Sequence, residues 1–226
     1  MRKINLLLKK IKSRGVKKML FKKNKIKKIC TALFLLFLLS GKNIFAKTDK
    51  YTVQFGDTLW KIAQKYQVGI SEIISANDQF KNPNMIYPGD KVTIPLPDEK
   101  IKSIEQTILN LVNQERRKNN IPELKLDWEI SRVARYKSQD MCEKNYFNHN
   151  SPTYGSPFDM LKKFNISYQT AGENIAKGQK TAQAVMNSWM NSQGHRANIL
   201  NKNFTKLGVG FYEKNNSTYW TQLFVR

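Results

Sequence analysis

The chain contains two histidines in 226 residues, and both lie in segments rich in Asn, Ser and Gly. His149 stands in YFNHNSP and His195 in SQGHRANIL. An imidazole titrates near neutral pH and can bind a metal ion or transfer a proton, so these positions are the first candidates for chemistry. On spacing alone each could equally be a solvated loop residue, and the surrounding segments have to decide between the two interpretations.

Other catalytic signatures are missing from the chain. The sequence contains neither the H-E-x-x-H pattern of zinc proteases nor the G-x-S-x-G turn of serine hydrolases. Cys142 could act as a nucleophile beside a histidine. It lies near the apolar face of a helical pattern, however, so we expect a buried and unreactive thiol.

The two histidines belong to a set of distinctive segments. These are NYFNHNSPTYGSPF, TAGENIAKG, VMNSWMNSQGHRANIL and YWTQLF, preceded by VNQERRKNN in a predicted helix. Together they resemble the CAP superfamily, also called SCP, which includes plant pathogenesis-related proteins, venom allergens and cysteine-rich secretory proteins. The resemblance covers about residues 104–225 and is closest to the bacterial branch that lacks disulfides. It implies an α-β-α sandwich.

In many eukaryotic CAP members, two histidines and two glutamates line a central cleft and can hold a divalent metal. The resemblance places the first histidine at His149 and the glutamate of the GEN motif at Glu173. The second glutamate position is Ser192 and the second histidine position is Tyr219, so half of this set is missing. His195 is typical of the bacterial branch, and we expect it to turn into the same cleft with Tyr219 nearby.

His149, Glu173 and His195 are therefore candidate catalytic residues and, equally, a candidate metal site. Two imidazoles, a carboxylate and a water form a known catalytic zinc set. Because Tyr219 cannot replace an imidazole as a neutral ligand, we expect any zinc site here to be weaker than in relatives with all four residues. The same groups could instead position a water molecule through general acid–base contacts. In a third interpretation the histidines only brace their loops by bonding the backbone. Asn174 is expected to support the cleft.

A separate pattern occupies Tyr51–Pro95. YTVQF alternates like a strand, and Asp57 or Thr58 can cap the helix that follows. Ser71 is predicted to cap a second short helix, and KVTIP forms the return strand after a Pro-Gly turn. The predicted order is therefore β-α-α-β.

This segment resembles a LysM domain over its whole length, through YTVQFGDTLWKIAQKY and NPNMIYPGDKVTIP. The resemblance implies binding to N-acetylglucosamine-containing glycans such as peptidoglycan or chitin, in a groove between two loops. Backbone amides would bond the acetamido group, and apolar side chains would cover its methyl group. The implied groove residues are Gly56, Asp57, Thr58 and Leu59 on one side and Met85, Ile86, Tyr87 and Pro88 on the other. We expect Trp60, Ile62 and Tyr66 to pack in the core.

The C-terminal part contains helical patterns followed by strand patterns. A polar segment, residues 96–103, is predicted to be a linker. One later helix carries Val133, Ala134 and Lys137 on a single face, and Ser156 with Pro157 starts another. KLGVGFY and TYWTQLFV alternate and predict an antiparallel hairpin. Helices that precede strands favour the α+β fold class.

The formal charge of +22 suggests a nucleic-acid binder, but the charge distribution argues against one. Residues 1–46 hold 14 basic and no acidic residues, and the remaining 25 basic and 17 acidic residues leave only +8. A basic stretch, the apolar run ICTALFLLFLL and the small residue Ala46 form the pattern of a secretory signal peptide. The run is short for a membrane span, and an uncleaved anchor is the alternative. Translation could begin at Met1 or at Met19.

The sequence thus predicts a signal peptide at 1–46, a LysM domain at 50–95, a linker at 96–103 and a CAP domain at 104–226. We expect a secreted, monomeric, cell-wall-associated protein that binds peptidoglycan, and neither nucleic acid nor, after cleavage, the membrane. Its CAP domain would have a binding or structural role. One alternative is a wall-directed hydrolase or peptidase that uses the His/Glu cleft. The other is a spore-coat or cortex protein, because KNPNMIYPGDKVTIP resembles the LysM domains of spore-coat assembly proteins.

Overall fold

The structure is a computed structural model that describes residues 47–226. The predicted signal peptide and both candidate start codons lie outside the described residues. Within residues 47–226, none of the helices is long and apolar enough to cross a membrane.

The N-terminal domain has the predicted β-α-α-β order. Its elements are β1 (Lys47–Thr52), α1 (Leu59–Tyr66), α2 (Ile70–Ser75) and β2 (Lys91–Leu96). The two strands pair antiparallel, with Tyr51 opposite Val92. Apolar side chains of both helices and both strands form one buried cluster, which includes Leu59, Ile62, Ile73 and Ile94.

The two helices of this domain begin differently. Thr58 caps α1, because its hydroxyl accepts a hydrogen bond from the backbone amide of Lys61 at 3.1 Å. The predicted cap of α2 is wrong: the helix begins at Ile70 after Gly69, and Gly69 makes no side-chain cap. Ser71 lies inside the helix, where its hydroxyl donates to Glu72 instead.

The expected core residues of α1 separate into two groups. Ile62 is buried and Tyr66 packs against the core, as expected. Trp60 does not, because its side chain is 60% exposed on the opposite side of the helix. Since Leu59 and Ile62 already define the buried face of α1, the position directly after Leu59 points away from it.

The C-terminal domain contains the remaining elements. They are α3 (Glu99–Lys118), β3 (Lys125–Leu126), α4 (Trp128–Glu143), α5 (Pro157–Lys163), β4 (Ala171–Lys177), α6 (Ala182–Met190), α7 (Gln193–Ile199), β5 (Lys206–Lys214) and β6 (Ser217–Val225). The sheet order is β3-β5-β6-β4. The short β3 pairs parallel with β5, and the other neighbours are antiparallel. The predicted hairpin and the α+β fold class are confirmed.

Helices cover both faces of this sheet, so the predicted α-β-α sandwich is confirmed. Residues of α3, α6 and α7 form the larger buried cluster with one face, centred on Trp189 and Trp220. Residues of α4 and α5 pack on the other face, against Leu223 and Val225. Ser156 caps α5 as predicted, in a reciprocal capping box with Asp159.

The segment predicted to be a linker is mostly helical. Asp98 accepts a hydrogen bond from the backbone amide of Lys100, and α3 therefore begins at Glu99. Only Pro97 and Asp98 separate β2 from α3. The polar composition of residues 96–103 reflects the exposed first turns of a helix rather than a flexible tether.

Helix α4 lies directly on the backbone of β5. A Cβ atom added at Gly210 would stand 2.1 Å from the carbonyl carbon of Ala134, and one at Gly208 would stand 2.3 Å from that of Ile130. Such distances are far inside van der Waals contact, so both glycines are required for this close approach.

We expect Gly210→Ala to destabilise the protein by about 1–3 kcal/mol or more, because overpacking a core usually costs this much. Gly194→Ala is the matched control, because a Cβ there meets no atom within 4 Å. A helical glycine replaced without a clash should instead stabilise by about 0.4–1 kcal/mol. Urea unfolding measures both changes, and equal effects of the two substitutions would contradict the close-packing argument.

Candidate functional site: a histidine–glutamate pair at the sheet edge

The candidate cleft forms along β4, one of the two edge strands of the sheet. Neighbouring residues of a strand point to opposite faces, so Glu173 and Asn174 serve different sides of the sheet. Glu173 meets the loop that follows α4. Asn174 meets α7, where its side-chain amide donates to the carbonyl of His195 at 3.1 Å. Strand β4 therefore contacts residues from the helical layers on both faces of the sheet.

His149 and Glu173 form a direct hydrogen bond. The distance between His149 Nδ1 and Glu173 Oε1 is 2.7 Å, and the Glu173 side chain is 2% exposed while that of His149 is 53% exposed. An ionised carboxylate can only accept, so Nδ1 carries the proton in this bond. In the neutral imidazole, Nε2 then keeps its lone pair.

The second oxygen of Glu173 has no hydrogen-bond partner within residues 47–226. Glu173 Oε2 is buried and accepts no hydrogen bond in the described part of the chain. An unsatisfied buried acceptor costs about 1–3 kcal/mol, so it is rarely left without a donor. The oxygen is therefore suited to accept a bond from a ligand or a water molecule that enters beside His149.

A buried lysine holds the loop that carries His149. Lys137 of α4 is 1% exposed, and its ammonium donates to the carbonyls of Asn148 at 2.8 Å and His149 at 2.7 Å. Burial lowers the pKa of Lys137, and the negative charges of Glu173 and Asp140 oppose that shift. The sequence placed Lys137 on the buried face of its helix but did not suggest this role.

Asp140, one turn further along α4, ties the other end of the same loop. Its carboxylate accepts hydrogen bonds of 2.6 Å from Tyr146, Ser151 and Thr153. Burial works to raise the pKa of Asp140, but these bonds outweigh it and lower the pKa. Lys137 and Asp140 together therefore fix the backbone on both sides of His149.

His195 lies near the pair without joining it. Its pKa is lowered by burial and, secondarily, by the charge of His149. In residues 47–226 the His195 ring makes no hydrogen bond, and its backbone is held by Asn174 as expected. The structure brings His149 and Glu173 into contact and leaves His195 as a neighbour.

The expectation that Tyr219 stands beside Glu173 is wrong. Glu173 pairs with Leu223, whereas Tyr219 pairs with Lys177, which is about 13 Å further along the strand at roughly 3.3 Å per residue. Tyr219 packs with Met141 in a small buried cluster, and the Lys177 ammonium lies over its ring. Tyr219 occupies the sequence position of the family's second histidine, but it does not take that histidine's place beside Glu173.

The expected metal site is not assembled. Across residues 47–226, no group of three or more His, Cys, Asp or Glu side chains is arranged to hold a metal ion. His149, Glu173 and His195 do not form such a group within residues 47–226, and zinc binding at the cleft stays a prediction. Cys142 is half-buried, and burial raises its pKa, which keeps the thiol protonated and disfavours a nucleophilic role.

The first loop of the predicted glycan groove is open at its tip. Gly56 has φ +82° and a Cβ there would meet nothing within 4 Å. Asp57 accepts from the Tyr51 hydroxyl at 2.7 Å and the Gln54 amide at 2.8 Å, which fixes the loop. The Leu59 side chain is 3% exposed, so this predicted groove residue can offer only its backbone.

The second loop presents apolar side chains to solvent. Met85 is 54% and Tyr87 is 59% exposed, whereas Ile86 packs against the core. The two loops are adjacent, because Val53 exchanges backbone hydrogen bonds of 2.9 Å with Asp90 and Gly89. Phe55 and Trp60 are also exposed on this domain. The sequence patterns did not predict either residue to be exposed. Phe55 could have been identified from its position in the first loop, next to Gly56.

Comparison with known proteins agrees with these two domains. Residues 109–224 match the profile of the cysteine-rich secretory protein family, CAP. The chain belongs to this family. Residues 51–95 match the LysM domain, so the predicted LysM–CAP organisation is confirmed.

Three similar proteins come from Bacillus species. The uncharacterized protein YkwD of Bacillus subtilis is 57% identical over 125 residues, which cover 55% of this chain and 48% of YkwD. A crystal structure of an extracellular SCP-domain protein from Bacillus anthracis is 42% identical, with a TM-score of 0.52, over 62% of this chain and 47% of that one. The spore coat assembly protein ExsA of Bacillus cereus is 49% identical over 45 residues, which cover 20% of this chain and 7% of ExsA. The chain thus spans less than half the length of each.

We expect Lys137→Met to destabilise the protein by about 1.5–3 kcal/mol, because two backbone carbonyls lose a charged donor. Amide hydrogen exchange should accelerate in residues 144–151, the loop around His149. Lys125→Met is the matched control, because Lys125 is exposed. Urea unfolding and hydrogen exchange followed by mass spectrometry measure the two effects. Unchanged exchange in the loop would contradict the role of Lys137.

Proposed function

We propose that the protein is exported and binds peptidoglycan through its LysM domain, with the CAP domain held beside the wall as a binding or structural module. The observation that carries this proposal is the pair of exposed apolar residues, Met85 and Tyr87, beside the open Gly56 loop in a domain that matches LysM. Support for an extracellular location comes from the extracellular SCP-domain relative.

The groove has the chemistry that an N-acetyl sugar requires. A glycine with no neighbouring atoms lets a ligand approach the backbone closely, and the phenol ring of Tyr87 offers an apolar face with a polar end. The predicted mature chain also has a charge of +8, which favours association with anionic wall polymers at low ionic strength. Glycan recognition by hydrogen bonds and apolar cover should persist when salt screens that charge.

We expect Tyr87→Ala to weaken sedimentation with purified peptidoglycan about tenfold, a loss of about 1.4 kcal/mol, because the ring no longer covers the sugar. Phe158→Ala is the matched control, because Phe158 is an exposed aromatic residue of the CAP domain. Soluble N-acetylglucosamine oligomers should compete with the wild type at high salt. Equal binding of the two variants, or no competition, would remove the LysM-based proposal.

A hydrolase that uses the cleft is the second candidate. It is favoured by the exposed imidazole of His149 beside the unpartnered oxygen of Glu173. With Nδ1–H bonded to Glu173, Nε2 can accept a proton from a water molecule, and the carboxylate stabilises the imidazolium that forms. The binding role is favoured over this candidate because Ser192 and Tyr219 replace half of the family's set and the sequence contains no G-x-S-x-G motif.

If the cleft is hydrolytic, His149→Ala should reduce release of soluble fragments from peptidoglycan by about a hundredfold or more, the usual loss of a general base. Tyr87→Ala should reduce release only on insoluble wall, because short soluble fragments do not need LysM anchoring. Chromatography of the supernatant measures both. Absence of release by the wild type, or equal release by His149→Ala, would eliminate this candidate.

A location on the spore surface stays a prediction. The similarity to ExsA is confined to a segment that covers 20% of this chain, so it concerns the LysM domain alone.

A further inference from the structure

The principal contact between the LysM domain and the CAP domain is an ion pair. Arg132 of α4 directs its guanidinium at Glu72 of α2, with Nε 2.5 Å from Oε1 and Nη2 2.8 Å from Oε2. This two-bond geometry is the strongest way in which an arginine holds a carboxylate, and it also fixes the relative orientation of the two groups.

The Glu72 carboxylate is enclosed by this contact. Its side chain is 5% exposed, and it also accepts hydrogen bonds from the hydroxyls of Ser71 at 2.7 Å and Tyr136 at 2.8 Å. Burial works to raise the pKa of Glu72, but the bonds and charge of Arg132 outweigh it and lower the pKa. The carboxylate thus depends on the CAP domain for its charge partner.

Two aromatic rings of the CAP domain pack against the guanidinium of Arg132. The Arg132 carbon Cζ lies 4.9 Å from the centre of the Phe164 ring and 5.7 Å from that of Tyr136. The two rings are themselves 5.3 Å apart. Guanidinium groups stack favourably on aromatic faces, so the two rings orient the Arg132 side chain toward Glu72.

Gly69 makes room for the contact. A Cβ atom at this position would stand 2.0 Å from Glu72 Oε2 and 2.2 Å from Arg132 Nε. Its φ of −70° is open to any residue, so backbone conformation does not explain the glycine. Ser, Thr, Asp or Asn would cap α2 better at this position. The glycine gives up that cap and leaves space for the guanidinium.

Two further features restrict movement between the domains. Gln64 of α1 donates to Glu129 in the first turn of α4 at 3.2 Å, which adds a second point of contact on the same helix. The covalent connection between β2 and α3 is only Pro97 and Asp98. One contact alone would let the LysM domain pivot on the CAP domain. Two side-chain contacts and a short connection that contains proline fix the orientation of one domain relative to the other.

We propose that the LysM and CAP domains form one rigid body, locked by the bonds from Arg132 and Tyr136 of the CAP domain to the Glu72 carboxylate of the LysM domain. A buried ion pair contributes more to a unique geometry than to net stability, because desolvation offsets much of its attraction. Together with the proposed function, the lock means that a glycan bound by the LysM groove takes a fixed place relative to the His149–Glu173 pair.

The test is ¹⁵N relaxation of the chain from residue 47 to residue 226, which reports the rotational correlation time of each domain separately. We expect one common value in the wild type. In Arg132→Ala the common value should be lost, with the smaller LysM domain tumbling faster. Arg117→Ala is the matched control, because Arg117 pairs with Glu123 on the surface of the CAP domain itself, and it should keep the common value.

Two other variants keep the proposal testable if Arg132→Ala does not fold. Gly69→Ala retains both charges but places a methyl group between them, and Glu72→Gln retains the shape but removes the charge. Both should separate the two correlation times, whereas Gly194→Ala should not. Independent tumbling in the wild type, or a common value in every folded variant, would overturn the lock. Neither result depends on glycan binding, so failure of the lock and failure of the proposed function are distinguishable.

Discussion

The close packing of α4 on β5 is the contact on which the functional groups of this protein depend. Because Gly208 and Gly210 carry no side chains, the helix backbone reaches the strand directly. The same helix then directs Lys137 and Asp140 to the loop of His149, and Arg132 to the LysM domain. One helix therefore positions both the candidate cleft and the neighbouring domain, and a shift in its height on the sheet would displace both.

Buried polar side chains take the place of covalent cross-links in this fold. Cys142 is the one cysteine among the described residues, and it is free. Arg116 of α3 is fully buried and donates to four backbone carbonyls, those of Pro122, Ile199, Asn201 and Phe204. Ile199 is the last residue of the helix that carries His195, and Asn201 and Phe204 follow that helix. The buried pair Glu105–Arg135 joins α3 to α4. Removing one partner of the Glu105–Arg135 pair is costly, because the other charge would then be buried without a partner.

Patterns along the chain predicted the elements well, because caps, turns and periodicity are local. The β-α-α-β order, the cap at Ser156 and the final hairpin were confirmed for this reason. The errors concern properties that depend on distant segments. Whether Trp60 is buried depends on what packs against α1, and the role of Arg132 depends on a carboxylate 60 residues away. Family resemblance indicated that His149 and Glu173 meet, but not that Tyr219 stands elsewhere along its strand.

The charges around the cleft also account for how the His149–Glu173 pair persists without the other half of the family's set. Two carboxylates, Glu173 and Asp140, act on the buried ammonium of Lys137 from different sides. That ammonium therefore supplies positive charge inside the protein, where the low dielectric makes it effective. The Glu173 carboxylate therefore lies between His149 and a positive charge that the protein itself supplies. Among the described residues no donor reaches Glu173 Oε2, so this buried oxygen can accept a hydrogen bond from a neutral N–H or O–H group that enters beside His149.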